Sequence, residues 1–136
     1  GGLRERVHFV GYVGGDAKAA AYRGASLVAI PSRQEAMSIV VLEAGICGRP
    51  VLMTDQCGFP ELSRVDGGKI VAATEKGIEE GLQDMIRDVD GRESMGERLR
   101  RHVKKHYLWD VIAQRYNALF LKVLENSNSR YMKTGG

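Results

Sequence analysis

The sequence has few of the residues that would indicate a disulfide framework, a zinc site or a membrane span. Its two cysteines, Cys47 and Cys57, form no C-x-x-C pair in 136 residues, so they predict neither a disulfide framework nor a zinc cluster. No apolar run approaches the roughly 20 residues that a membrane span needs, and no secretory signal precedes the first predicted strand. These absences predict a cytoplasmic protein whose thiols stay reduced.

The sequence also has only a small excess of charge of one sign. The 20 Lys and Arg residues exceed the 17 Asp and Glu residues by three, and most of the excess lies in the stretch RLRRHVKKH at 98–106. A basic run of this kind is typical of a solvated helix face. The sequence therefore predicts no nucleic-acid partner, while peripheral contact with anionic lipid at the inner face of the membrane stays open.

What the sequence does contain is an alternation of short apolar runs and amphipathic segments. The runs predict four strands, at 7–11, 26–31, 50–54 and 69–72. Helical spacing predicts helices at 17–22, within 38–47, from Thr74 to about Gly91, within 94–107 and at 109–126. The second run is too apolar for one wet face, and strands buried on both faces are typical of parallel sheets. We therefore expect an α/β fold, with one Rossmann-like domain at 1–126 and a disordered tail at 127–136.

The stretch PSRQEAMSIVVLEAG at 31–45 places Glu35 and Glu43 eight residues apart. Ser38 is the predicted N-cap, so its hydroxyl is expected to accept a bond from a first-turn N–H. The remaining free N–H groups of that turn follow the second strand, where phosphate commonly binds in α/β sheets. Glu43 lies roughly 7 Å further along the helix axis, among apolar neighbours.

A buried carboxylate needs hydrogen-bond donors, and a ribose 2′,3′-diol offers two of them to Glu43. Glu35, in the loop before the helix, lies on the other side of the predicted phosphate position. The pair therefore suits a nucleotide-diphosphate sugar, with Glu43 on the ribose and Glu35 on the sugar. The alternative is that both glutamates are solvated surface residues of a non-catalytic α/β binding module.

Further segments occur in a definite order along the chain. They are VHFVGYV at 7–13, ASLVAIPS at 25–32, the E-x7-E pair, EAGICGRPV at 43–51, GFPEL at 58–62 and YLWDVIAQRY at 107–116. In this series the chain resembles the carboxyl-terminal, donor-binding domain of retaining glycosyltransferases of the GT-B fold, the group 1 family. The similarity covers nearly the whole chain except its tail.

The resemblance implies roles for individual residues. Glu35 would be the catalytic residue that contacts the donor sugar, Glu43 would bind the ribose, and the loop near Val13 would contact the base. The diphosphate would be held by the backbone N–H groups of Ser38, Ile39 and Val40. Family members often have E-G-F-G where this chain has EAMS at 35–38, so Ser38 adds a side chain where glycine eases close approach to phosphate.

The implied activity is transfer of a sugar, with retention, from a donor of the UDP, GDP or ADP type to an unidentified acceptor. No metal and no other cofactor is expected, because the helix start would stabilise the leaving group. A GT-B phosphorylase or a nucleotide-sugar epimerase domain would use a similar site and stays an alternative.

The resemblance also implies that this chain lacks the first two βα units of its domain and the amino-terminal acceptor domain. We therefore expect a fragment that transfers no sugar by itself. In the family the last helix reaches back to the amino-terminal domain, so its apolar stripe is expected to be exposed here or to be covered by self-association.

Two other patterns could suggest metal binding. Asp88 and Asp90 have a D-x-D spacing, but they fall at the predicted end of a helix. His102 and His106 stand four residues apart, yet no third ligand accompanies them, and we interpret them as surface histidines.

Overall fold

The computed structural model describes the backbone of residues 2–133 and the side chains of residues 2 and 4–126. A short 3-10 turn at Leu3–Glu5 precedes the regular elements. These are α1 (Gly15–Gly24), β1 (Val28–Ile30), α2 (Ile39–Ile46), β2 (Val51–Thr54), α3 (Glu61–Arg64), β3 (Gly68–Val71), α4 (Glu75–Arg87), α5 (Val89–His106) and α6 (Trp109–Lys133).

The three strands form one parallel sheet in the order β1-β2-β3. Val51 pairs with Val28 on one side and with Gly68 on the other. All four residues of β2 are buried, as expected for a central strand covered by helices. The predicted α/β fold with a parallel sheet is thus confirmed, although β1 is an edge strand in which Ala29 is exposed.

The predicted strand at 7–11 is wrong. These residues have no regular secondary structure, and Phe9 and the nearby Tyr12 are each 97% exposed. A strand exists only where a neighbour accepts and donates its backbone hydrogen bonds. Within residues 2–133 the outer edge of β1 has no strand partner, so residues 7–11 do not pair with the sheet.

The core lies where α2 and α5 pack beside the sheet. Gly45 of α2 faces Leu99 and Val103 of α5 so closely that a Cβ atom at Gly45 would lie 2.8 Å from each of these side chains. Both of these α5 residues are buried in the central cluster with Val41, Met53 and the other core residues. The absence of a side chain at position 45 therefore allows the two helices to approach each other.

The ends of the helices explain several sequence patterns. Gly48 follows α2 with φ 72°, a backbone conformation that favours glycine, as its position before Pro50 predicts. The predicted cap at Thr74 is confirmed, because its hydroxyl accepts a 3.0 Å bond from Gly77 N. However, α4 ends at Arg87 rather than near Gly91, since Asp88 caps α5 by accepting a 2.9 Å bond from Gly91 N. The D-x-D pattern thus lies at a helix boundary.

The last helix, α6, is long and mostly exposed. It continues to Lys133, beyond the predicted end at Asn126. The disorder expected for the tail stays a prediction, and residues 134–136 lie outside the described part of the chain. Trp109 is 85% exposed, and Tyr116, Leu119 and Phe120 are each more than half exposed. Part of the apolar stripe is therefore uncovered by the described residues, as expected.

Between residues 2 and 133, none of the helices combines the length and the apolar character that crossing a membrane requires.

Candidate functional site

The loop after β1 and the start of α2 form the first part of the candidate site. Ser38 is the N-cap of α2 and is completely buried. The predicted bond from a first-turn N–H to its hydroxyl is wrong, because the N–H of Val41 donates instead to the carbonyl oxygen of Ser38 at 3.2 Å and the N–H of Val40 donates to neither. In the described part of the chain, the Ser38 hydroxyl has no hydrogen-bond partner.

The two N–H groups that follow Ser38 are also free. Ile39 N and Val40 N precede the first intrahelical donor and have no acceptor among the described residues. Ile39 is 65% exposed and Val40 is half-buried. A buried hydroxyl and two free N–H groups at one helix start provide donors for an anion, and the helix dipole favours a negative charge there.

Glu35 is held by the segment that follows β2. Its backbone N–H donates to Gln56 O at 3.0 Å, and its carbonyl accepts the N–H of Gly58 at 3.0 Å. These bonds form an isolated parallel bridge between Glu35 and Cys57. The half-buried Glu35 is thus positioned by the GFPEL segment, whose first residue is Gly58.

Glu43 is partly buried and has two partners on α1. Lys18 Nζ donates to Glu43 Oε1 at 2.6 Å, and the Tyr22 hydroxyl donates to Glu43 Oε2 at 2.8 Å. The bond from Lys18 lowers the pKa of Glu43, with Tyr22 contributing in the same direction. Burial and the bond to Glu43 raise the pKa of Tyr22 to about 12. The carboxylate is therefore ionised at neutral pH without any ligand.

The sequence predictions for Glu43 missed both of these partners. Lys18 and Tyr22 are four residues apart, which places them on one face of α1. That spacing is the signal that could have found them, although only the packing of α1 against α2 shows which carboxylate they face. Since a carboxylate oxygen accepts two hydrogen bonds, each oxygen of Glu43 retains one acceptor position.

Glu43 opens into a small pocket of about 160 Å³ between α1 and α2. Gly15 and Lys18 belong to its α1 wall, and Ile46 and Cys47 belong to its α2 wall. Val13, the predicted base contact, is half-buried in the loop that leads into α1. Val13 thus precedes by two residues Gly15, which lines the pocket, but the structure shows no contact between Val13 and Glu43.

His102 differs from the surface histidine that the sequence predicts. It is half-buried, with ring centroids 6.5 Å from Phe59 and 5.8 Å from Tyr107. This burial lowers the pKa of His102. Among the described side chains, no three His, Cys, Asp or Glu residues come together in a way that could hold a metal ion. His102 therefore belongs to the packing of α5 rather than to the site.

Comparison with known proteins identifies similar sequences and folds. The profile of the family described as glycosyl transferases group 1 matches residues 1–88. An uncharacterized glycosyltransferase of Methanocaldococcus jannaschii is 33% identical over 115 residues, which are 83% of this chain and 30% of that protein. A D-inositol 3-phosphate glycosyltransferase of Corynebacterium jeikeium is 35% identical over 103 residues, which are 73% of this chain and 24% of that protein.

Among solved structures, sucrose-phosphate synthase from Thermosynechococcus elongatus matches with a TM-score of 0.81 and 25% identity. The match covers 91% of this chain and 32% of the synthase. The chain thus spans about a third or less of the length of these relatives.

Proposed function

Because the chain belongs to the glycosyl transferases group 1 family, we propose that it is the part of a retaining glycosyltransferase that binds a nucleotide-diphosphate sugar. The observation that carries this proposal is the start of α2. There the buried, unpartnered hydroxyl of Ser38 adjoins the free N–H groups of Ile39 and Val40. Three donors at a helix start suit a diphosphate.

The two glutamates flank this position along the chain. Glu43 would accept the ribose hydroxyls through its remaining lone pairs, and Glu35 would contact the hydroxyls of the donor sugar. Val13 would contact the base. In the transfer, the bond between the sugar and the diphosphate oxygen breaks, and its electron pair stays on the diphosphate. The donors at the start of α2 would stabilise that charge, while the acceptor hydroxyl forms the new bond to the sugar and passes its proton to an oxygen of the departing diphosphate.

The acceptor would be bound by a further part of the protein, in keeping with the share of its relatives that this chain spans. We therefore expect the 136-residue chain to bind the donor but not to transfer its sugar.

Binding of nucleotides to the 136-residue chain tests this proposal. In calorimetric titrations with UDP, GDP and ADP, we expect saturable binding of at least one diphosphate and much weaker binding of the corresponding nucleoside. Ser38→Ala removes the hydroxyl without adding atoms to this buried position, and we expect a loss of about tenfold in affinity, the scale of one hydrogen bond to a charged group.

Ser63→Ala is the matched control, because it removes the hydroxyl of an exposed serine on α3. We expect it to bind as tightly as the wild type. A folded chain that binds none of the three diphosphates would contradict the proposal. Measurable sugar transfer would contradict the expected inactivity of the chain alone.

The exposed apolar side of α6 supports a second proposal, that the isolated chain self-associates through Tyr116, Leu119 and Phe120. Sedimentation equilibrium should show a dimer at high concentration. Leu119→Glu combined with Phe120→Glu should give a monomer, while the control Lys122→Glu should not. A wild-type chain that stays monomeric at every concentration would refute this proposal.

A further inference from the structure

A second and larger pocket lies at the other end of α2. It has a volume of about 530 Å³ and is lined by Ala19, Arg23, Ile46, Cys47, Arg49 and Arg100. The helix between Ser38 and this pocket has eight residues, or roughly 12 Å at the standard rise. Arg49 lies just before β2, at the edge of the sheet where the strands begin. The pocket is therefore separate from the proposed diphosphate position.

Three arginines from different parts of the chain line the pocket. Arg23 lies on α1, Arg49 lies between α2 and β2, and Arg100 lies on α5. No acidic side chain is among the residues that line the pocket. Charges of the same sign that converge on one cavity repel each other, and an anion between them would relieve that repulsion.

These cations are poorly satisfied by the protein itself. Neither Arg23 nor Arg49 has a side-chain hydrogen bond or ion pair within the described residues, and Arg49 Nε is buried without a hydrogen-bond partner. Arg100 pairs with Glu97 at 3.7 Å, a long contact between partly exposed groups that contributes little. A buried N–H without an acceptor is costly, so Arg49 Nε indicates an acceptor that the described residues do not supply.

The backbone around Arg49 is fixed, which favours a built site over a chance cluster. Arg49 N donates to Ala44 O at 3.0 Å, and Gly48 N donates to Gly45 O at 2.8 Å. Gly48 also lies beside Arg100, since a Cβ atom at Gly48 would be in ordinary van der Waals contact with Arg100 Cδ at 3.6 Å. The first residues after α2 therefore have a fixed backbone next to Arg100 of α5.

We propose that this arginine pocket, formed by Arg23, Arg49 and Arg100, binds a phosphate group. The planar fork of a guanidinium matches two phosphate oxygens, and Arg is the residue best suited to such bidentate contacts. The phosphate can belong to a soluble phosphate ester or to the headgroup of a phospholipid. Either source would place a ligand next to the Glu43 pocket, with which this pocket shares Ala19, Ile46 and Cys47, at the end of α2 away from the proposed diphosphate position.

The first test is an NMR titration of the 136-residue chain with inorganic phosphate. We expect saturable shifts of the amide signals of Arg23, Gly48 and Arg49. Arg100→Gln should weaken phosphate binding about tenfold, the scale of a charge-assisted hydrogen bond. Arg101→Gln is the matched control, because it removes the same charge from the next residue of α5, which does not line the pocket.

Arg23→Gln gives an independent variant, because Arg23 is exposed on α1 and its loss should leave the fold intact. It should weaken binding to a similar extent, with an unchanged circular dichroism spectrum. Equal losses in the Arg100 and Arg101 variants, or full affinity in the Arg23 variant, would overturn the proposal.

Vesicle sedimentation separates the two sources of phosphate. If the ligand is a headgroup, the chain should bind vesicles of phosphatidylcholine with phosphatidic acid but not phosphatidylcholine alone, and Arg100→Gln should reduce that binding while Arg101→Gln should not. If the ligand is a soluble ester, inorganic phosphate should bind and the vesicles should not. Failure of both phosphate and vesicles to bind the folded wild-type chain would overturn the proposal.

Discussion

Glu43→Ala is expected to weaken nucleotide binding by about 1–3 kcal/mol, the scale of charge-assisted hydrogen bonds lost to a ligand. The physical reason is that the carboxylate keeps one free acceptor position on each oxygen after binding Lys18 and Tyr22. A ribose diol supplies donors for both positions. Calorimetry with ribonucleotides and with 2′,3′-dideoxyribonucleotides measures the effect. The variant should bind ribonucleotides more weakly than the wild type does, and it should bind the dideoxyribonucleotides with unchanged affinity.

Two controls separate binding of the ribose from the link that Glu43 forms between α1 and α2. Tyr22→Phe removes one hydrogen bond to Glu43 but keeps the carboxylate. The variant should therefore be less stable, but it should still bind ribonucleotides more tightly than dideoxyribonucleotides, as the wild type does. Glu80→Ala removes the same charge from an exposed position of α4 and should change neither property. A wild-type chain that binds the ribo- and dideoxyribo-forms equally well would show that Glu43 has a structural role alone.

The pKa of Glu43 gives this prediction a pH dependence. Since the folded-state pKa of Glu43 is lowered, the bond to Lys18 makes its full contribution to stability when the pH is above the ordinary carboxyl pKa. That contribution is lost as the pH falls through the lowered value. Tyr22, whose pKa is about 12, stays protonated throughout. Ribose-dependent binding should therefore be constant through neutral pH and fall only in acid.

Gly58→Ala is expected to lower the free energy of unfolding by about 3 kcal/mol, the scale of severe overpacking. A Cβ atom at Gly58 would overlap the carbonyl oxygen of Ala36, which is backbone and cannot rotate away. The Glu35 loop would have to separate from the segment after β2. Because Gly58 N bonds Glu35 O, that movement would displace Glu35 from its present position.

The measurement combines urea unfolding with calorimetry of a nucleotide and of its nucleotide sugar. The folded variant should bind the nucleotide as tightly as the wild type does. It should bind the nucleotide sugar no more tightly than the nucleotide, because Glu35 no longer contacts the sugar. Gly24→Ala is the control, because a Cβ atom there meets nothing within 4 Å. Unchanged stability and an unchanged contribution of the sugar would contradict the role assigned to Gly58.

Features that depend on local sequence were predictable. The buried strand β2, the Thr74 cap and the glycine after α2 all follow from residues adjacent in the chain. The candidate site was predictable only as a segment that carries Glu35, Ser38 and Glu43 in order, and the roles of these residues stay predictions. The partners of Glu43 were not, because Lys18 and Tyr22 lie more than twenty residues away and meet it only through helix packing.

The failures have the same physical origin. The apolar run at 7–11 has the pattern of a strand, but a pattern does not supply the neighbour with which a strand must pair. The hydroxyl of Ser38 has the right position for a cap, but the Val41 N–H donates to the Ser38 carbonyl and the Val40 N–H stays free. In both cases the sequence shows what a group is able to bond, and the fold decides which bonds form.

The outer edge of β1 matters for how the chain behaves in solution. Val28 and Ile30 direct their N–H and C=O groups toward β2, so on the side away from β2 it is Ala29 whose N–H and C=O have no strand partner among the described residues. Parallel strands on one polypeptide need a long crossover connection, whereas a strand supplied in trans needs none. This edge would therefore allow a divided protein to reassemble from two polypeptides, and in the absence of the second polypeptide it would promote aggregation during expression.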